Sequence, residues 1–261
     1  MAHFIPVSSV KHKNTGIASV KDLSDYSSRV TLPVYGIEVS RLARNFPLVF
    51  VKQGESFGLH LLCSLSEQLP NAYITEQGQW LGDYLPAMIR QRPFTVLSDE
   101  DNNRILCIDD ESPLLVNDGK MLFDDGEPSE FLQQISSFLD ALFVNGLATQ
   151  KAVDLLHRFE LIIPWDIQIK QTDDSSVPLT GVFRIDESRL NQLEDDKWLA
   201  LKKAAVLPLV YGQLLSMGNL DQMAKLLKQK DLSVSQDTVS TDNLSSFFGE
   251  DNDDVLNFDG L

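Results

Sequence analysis

The spacing of apolar residues changes repeatedly along the chain, and each change marks a short element. Val34, Ile37, Leu42 and Ala43 fall on one side of a helical projection, so residues 32–45 are expected to form a helix. Residues 47–52 and 57–65 are apolar runs on either side of a turn containing Gly54, the pattern of a β-hairpin. Tyr73, Ile74 and Trp80 flank a Glu76-Gln77-Gly78 turn, and residues 85–91 predict a short helix that must end before Pro93. Residues 94–97 and 104–108 read as paired strands joined by an acidic turn.

Further along, Asp118-Gly119 and Asp124-Asp125-Gly126 are turn signals around Met121, Leu122 and Phe123. Ser129 is placed to cap a helix, its hydroxyl accepting from a first-turn amide. Beyond it Phe131, Leu132, Ile135, Phe138, Leu139 and Leu142 recur at three- and four-residue spacing as an apolar stripe. A second helix over residues 149–159 carries Val153, Leu156 and Phe159, and the two helices are expected to pack as an antiparallel pair. Residues 167–169 and 181–185 alternate as strands around a polar loop at 171–176. Residues 186–193, 195–203 and 206–228 are helical in pattern. The order is mixed rather than a repeating strand–helix unit. The expected fold class is therefore α+β, with a mixed or antiparallel sheet, a helical pair, a helical C-terminal part and a disordered acidic tail. The corresponding division is one globular domain over residues 1–230 and a tail over residues 231–261.

Charge sharpens that division. The 261 residues carry a formal net charge of −16, and eight acids between Asp231 and Asp259, in a stretch without Lys or Arg, supply half of it. So negative a chain repels phosphate backbones, and nucleic acid is not an expected partner. In the tail the acids are interrupted by Phe247, Phe248, Val255, Leu256, Phe258 and Leu261, which suits a segment that orders on a protein partner or merely solubilises the chain. The remainder can bury a real core, since 43% of residues are hydrophobic, yet no apolar run approaches the roughly 20 residues that span a bilayer. Residues 1–20 contain Lys11 and Lys13 but no apolar signal region. Sec export is not expected, and cytoplasmic placement is, with type I secretion left open. Cys63 and Cys107 sit in apolar segments and are expected to be buried, unpaired thiols.

The run from Trp80 to Phe94 reads Trp-Leu-Gly-Asp-Tyr-Leu-Pro-Ala-Met-Ile-Arg-Gln-Arg-Pro-Phe. It resembles the signature of SapC-family proteins, in which a Gly-x-Trp turn precedes Tyr-x-Pro-x-x-x-Arg-x-x-Pro-Phe. The likeness continues at residues 45–50, 107–109, 122–129, 181–187 and 214–220, so it spans residues 4–227. The resemblance implies a non-enzymatic accessory or binding protein of bacteria, linked to the cell envelope, surface layer or nutrient uptake. It implies no catalytic residues and no cofactor. The permease sense attached to the family name does not fit a sequence without membrane spans.

Residue patterns supply the candidate chemistry. Gly54-Glu55-Ser56-Phe57-Gly58 matches Gly-x-Ser-x-Gly, the turn that exposes a nucleophilic serine between a strand and a helix. Here a returning strand follows, and His157 as the base would lie on a helix stripe, so a hairpin is the better account. Asp99, Asp101, Asn103 and Asp110 fall at calcium-loop positions, but Arg104 stands where that loop needs glycine, so a solvated turn is expected and no metal. His3, His12, His60 and His157 show no metal spacing, and Asp124, Asp125 and Glu127 are accounted for by the helix start at Ser129. The candidate ligand patch is Trp80, Tyr84, Arg90, Arg92 and Phe94. Guanidinium groups pair with carboxylates and stack on aromatics, so this group could hold a small anionic molecule, or it could simply pin the signature segment to the core. The alternative to a binding protein is an enzyme acting on a small anion or ester through Ser56 or an Arg90/Arg92 pocket.

Overall fold

Leu48–Gln53 and Ser56–Leu62 form the expected hairpin, in register from Leu48 opposite Leu61 to Gln53 opposite Ser56. Gly54, the first of the two turn residues, has φ of 62°, the conformation that a type II′ turn assigns to glycine at this place. The computed structural model describes residues 3–99, 101, 103–170 and 176–230. The expectations for residues 171–175 and for the tail at 231–261 lie outside the described residues.

The hairpin is the middle of a five-stranded antiparallel sheet, ordered Ile162–Pro164, Val182–Ile185, Leu48–Gln53, Ser56–Leu62, Thr31–Pro33. Leu48, Val49 and Phe50 are consecutive and fully buried, so both faces of this strand are covered. A second antiparallel sheet orders Phe4–Pro6, Arg104–Asp109 and Phe94–Ser98. Helices are segregated from strands rather than alternating with them, and the class is α+β as expected.

Two apolar clusters form beneath these sheets. One joins the five-stranded sheet to the C-terminal helices through residues such as Phe50, Leu61, Val153, Leu156, Val210 and Met223. The other joins the three-stranded sheet to Leu132, Leu139 and Leu142 through Phe94, Ile108 and Leu122. Both clusters therefore share one element. Glu130–Arg158 is a single helix of 29 residues, not the expected antiparallel pair. The expected second start at residue 149 lies within the continuous helix, and Gly146 and Thr149 are where the segment around Tyr35 docks. A Cβ at Gly146 would meet the Tyr35 ring at 3.4 Å, and the Thr149 hydroxyl accepts from the Gly36 amide at 2.8 Å while donating to Asn145 O at 2.7 Å. The start of the helix is as read: Ser129 Oγ accepts from the Leu132 amide.

Two more helices are shorter than the pattern suggests. Residues 32–45 yield an edge strand at Thr31–Pro33, a 3-10 turn at Gly36–Glu38 and one α turn at Val39–Leu42. Pro33 lacks an amide to donate and biases Leu32 before it toward extended geometry, and an edge strand tolerates both. Residues 206–228 divide into Leu207–Ser216 and Leu220–Gln229 around a 3-10 turn at Met217–Asn219. Asn219 Nδ2 donates to Ala43 O and Phe46 O there, at 2.8 and 3.2 Å, tying the break to the start of the central strand. Among the described residues no helix is long and apolar enough to cross a membrane.

Candidate functional site

The signature segment is folded back on itself by its own side chains. Trp80 pairs across a bridge with Ile74, and its indole Nε1 donates to Tyr84 O at 3.0 Å, closing the loop between them. Phe46, Tyr73 and Trp80 pack edge-on or tilted against one another at centroid separations of 4.7 to 5.8 Å. Gly82 is required because a Cβ there would run into the Phe46 ring. After Pro86 comes a single helical turn, Ala87–Arg90.

At the centre of this region is Glu38, only 2% exposed and absent from the sequence-derived patch. Its Oε1 accepts from the Tyr84 hydroxyl at 2.9 Å and from the Ala87 amide at 2.7 Å, and its Oε2 accepts from the Tyr35 amide at 3.2 Å. Burial, and then the Glu38 charge, push the Tyr84 hydroxyl above its ordinary range, so it stays protonated and donates. Arg90 Nη2 donates to the same Tyr84 oxygen at 2.7 Å and lies 3.9 Å from Glu38 Oε1. Arg41, from the neighbouring helical turn, places its guanidinium 5.3 Å from the Tyr84 ring centroid. One acid in an otherwise apolar run, Tyr35-Gly36-Ile37-Glu38-Val39, is the signal that could have found Glu38.

Trp80, Tyr84 and Arg90 are thus joined through short contacts and Glu38. Arg92 is turned elsewhere: its Nη2 donates to Asp25 at 2.9 Å and its guanidinium lies 5.2 Å from the Tyr26 ring centroid. Arg92 lies beyond the helical turn that ends at Arg90, and the two guanidinium groups take different partners, Asp25 for Arg92 and Tyr84 for Arg90. Phe94 is 2% exposed and belongs to the second apolar cluster, its ring 6.4 Å from that of Phe131. A separate concavity of about 630 Å³, lined in part by Val7, Arg104, Phe123 and Leu132, shares no residue with the patch.

The other candidate groups fall into structural settings. Ser56 begins a strand and its hydroxyl lies 3.3 Å from Gln53 O. His157 packs on Phe57 at 4.9 Å, and successive strand residues face opposite sides, so His157 is on the side away from Ser56. The Asp99 carboxylate accepts from the amides of Asp101 and Asn103 within its own turn, whereas Asp110, beyond the far end of the strand Arg104–Asp109, pairs with His3 and Lys11. Asp125 and Gly126, with φ of 49° and 90°, make a type I′ hairpin turn between Asp124 and Glu127. Cys63 and Cys107 are buried free thiols, and burial raises both. His60 lies between Gln53 and Thr31, and burial lowers it to about 4.

No curated protein and no solved structure matches the chain. The family model described as SapC matches residues 7–223, which include every residue of the signature segment and of the Glu38 network. The chain therefore belongs to the SapC family.

Proposed function

We propose that this SapC-family chain is a non-enzymatic accessory or binding protein, linked to the bacterial cell envelope, surface layer or nutrient uptake, whose small-molecule site is the patch around Tyr84. The observation that carries the reading is the Glu38–Tyr84–Arg90 network: a buried carboxylate fixes a tyrosine and an arginine whose guanidinium still reaches solvent. Preorganised polar groups of this kind favour binding, because little ordering cost remains when a ligand arrives. The envelope and uptake association comes from the family resemblance. The acidic segment after Asp231 is proposed as a contact for a protein partner, with its acids steering and its aromatics anchoring.

Ligand-induced thermal shifts across amino acids, short peptides and sugars test the reading. A bound ligand stabilises the folded state by about 2.7 kcal/mol at a hundredfold excess over its Kd. An anionic member of the panel is expected to raise the melting temperature without being consumed, and Tyr84→Ala is expected to remove the effect. Turnover of a panel compound or of an ester would contradict the non-enzymatic assignment.

A further inference from the structure

We infer that the Tyr84 patch takes a small carboxylate, gripped between Arg41 and Arg90. The inference rests on the binding reading above and adds the ligand class and the residues that hold it. The Arg90 guanidinium lies 5.2 Å from the Tyr84 ring centroid and 5.0 Å from that of Phe138, so two aromatic rings fix its position. Its Nε donates to Leu85 O at 2.9 Å and its Nη2 to the Tyr84 hydroxyl, while Nη1 donates to no described residue. Arg41 approaches the same ring, is exposed, and forms no hydrogen bond or ion pair with a described residue.

Two guanidinium groups therefore lie 5.2 and 5.3 Å from the centroid of one tyrosine ring, and the carboxylate bonded to that tyrosine's hydroxyl is the buried Glu38. The oxygens of Glu38 are already engaged by Tyr84, Ala87 and Tyr35, and at 2% exposure they cannot turn outward to neutralise a second arginine. Among the described residues, the Arg41 charge has no carboxylate within ion-pair distance. Guanidinium donors match a carboxylate in plane and charge, and the neighbouring rings suit a ligand with a flat apolar body. A cationic ligand would meet like charge, and a neutral one would gain little over the water it displaces.

The test uses the full chain with benzoate, benzamide and benzamidine, three probes of one shape and different charge, followed by saturation-transfer NMR and thermal shift. Two variants accompany them, Arg41→Gln and Arg92→Gln. Benzoate alone is expected to bind. Arg41→Gln, which changes an exposed side chain, should leave the free protein's melting temperature nearly unmoved and weaken benzoate at least about tenfold, the loss of one charge-assisted contact. Arg92→Gln, whose parent side chain is taken by Asp25, should leave benzoate affinity within about twofold. Equal binding of benzamide, an unchanged Kd in Arg41→Gln, or no benzoate binding by the wild type overturns the carboxylate grip. In any of those cases another panel ligand that still requires Tyr84 leaves the binding reading intact. If no ligand of any class depends on Tyr84, both fall.

Discussion

Replacing Glu38 by alanine should be among the most damaging single changes in the body of this protein. Three donors lose their acceptor at once: the Ala87 amide at 2.7 Å, the Tyr84 hydroxyl at 2.9 Å and the Tyr35 amide at 3.2 Å. Ala87 is fully buried, so its amide has no water to turn to. A hydrogen bond to a charged acceptor contributes about 1.5–3 kcal/mol, a stranded buried amide costs about 1–3, and breaking a buried ion pair costs about 3–5. These terms overlap, and the partner Arg90 lies 3.9 Å away and partly exposed, so the loss should be about 3–5 kcal/mol. For a chain of this size that lowers the melting temperature by about 6–20 °C. Glu38→Gln keeps an oxygen for Tyr84 and Ala87 and gives up the charge, so it should cost about 1–2 kcal/mol. Urea denaturation followed by tryptophan fluorescence separates the two variants. A Glu38→Ala protein within about 1 kcal/mol of wild type, or a Gln variant as damaged as the Ala variant, would refute the claim that this carboxylate organises the site.

His60 gives a pH dependence of known sign. Its folded value of about 4 lies below the ordinary 6.5, so between those limits the unfolded chain binds the extra proton. Stability present above pH 6.5 should fall by up to about 3 kcal/mol as pH drops toward 4, and urea midpoints at pH 7 and 4.5 should show a smaller difference in His60→Gln. Ser56→Ala should change stability by less than about 0.5 kcal/mol, and a fluorophosphonate should leave Ser56 unlabelled; mass-spectrometric detection of a Ser56 adduct would revive the esterase reading. Deletion of residues 240–261 should leave the melting temperature unchanged while weakening capture of a protein partner; earlier unfolding by several degrees would place that segment against the body.

What the sequence reveals here follows the range over which each signal acts. The hairpin around Gly54 and the Ser129 cap are local, settled within four residues by turn geometry and one amide, and both are present as read. The long helix is different. Residue 149 reads as a new helix start when considered alone, whereas it lies inside a continuous helix and its hydroxyl receives Gly36, over a hundred positions away, a contact that local patterning does not show. The candidate site divides along the same line. Tyr84 and Arg90 are six residues apart on a loop and one helical turn, so their proximity is legible. Their organiser, Glu38, and the second arginine, Arg41, come from a segment that the apolar pattern assigned to a longer helix. Arg92 was grouped with Arg90 by sequence adjacency, but it follows the end of the helical turn and is taken by Asp25, a long-range partner that sequence spacing does not show.

The central claim is that ligands meet this protein at Tyr84 through Arg41 and Arg90. It is tested most directly by following arginine side-chain Nε–H resonances in ¹H–¹⁵N NMR while benzoate is titrated into the full chain. The account predicts progressive shifts of the Arg90 and Arg41 signals and a still Arg92 signal. Shifts confined to Arg104, which lines the separate concavity near Val7 and Leu132, would contradict it.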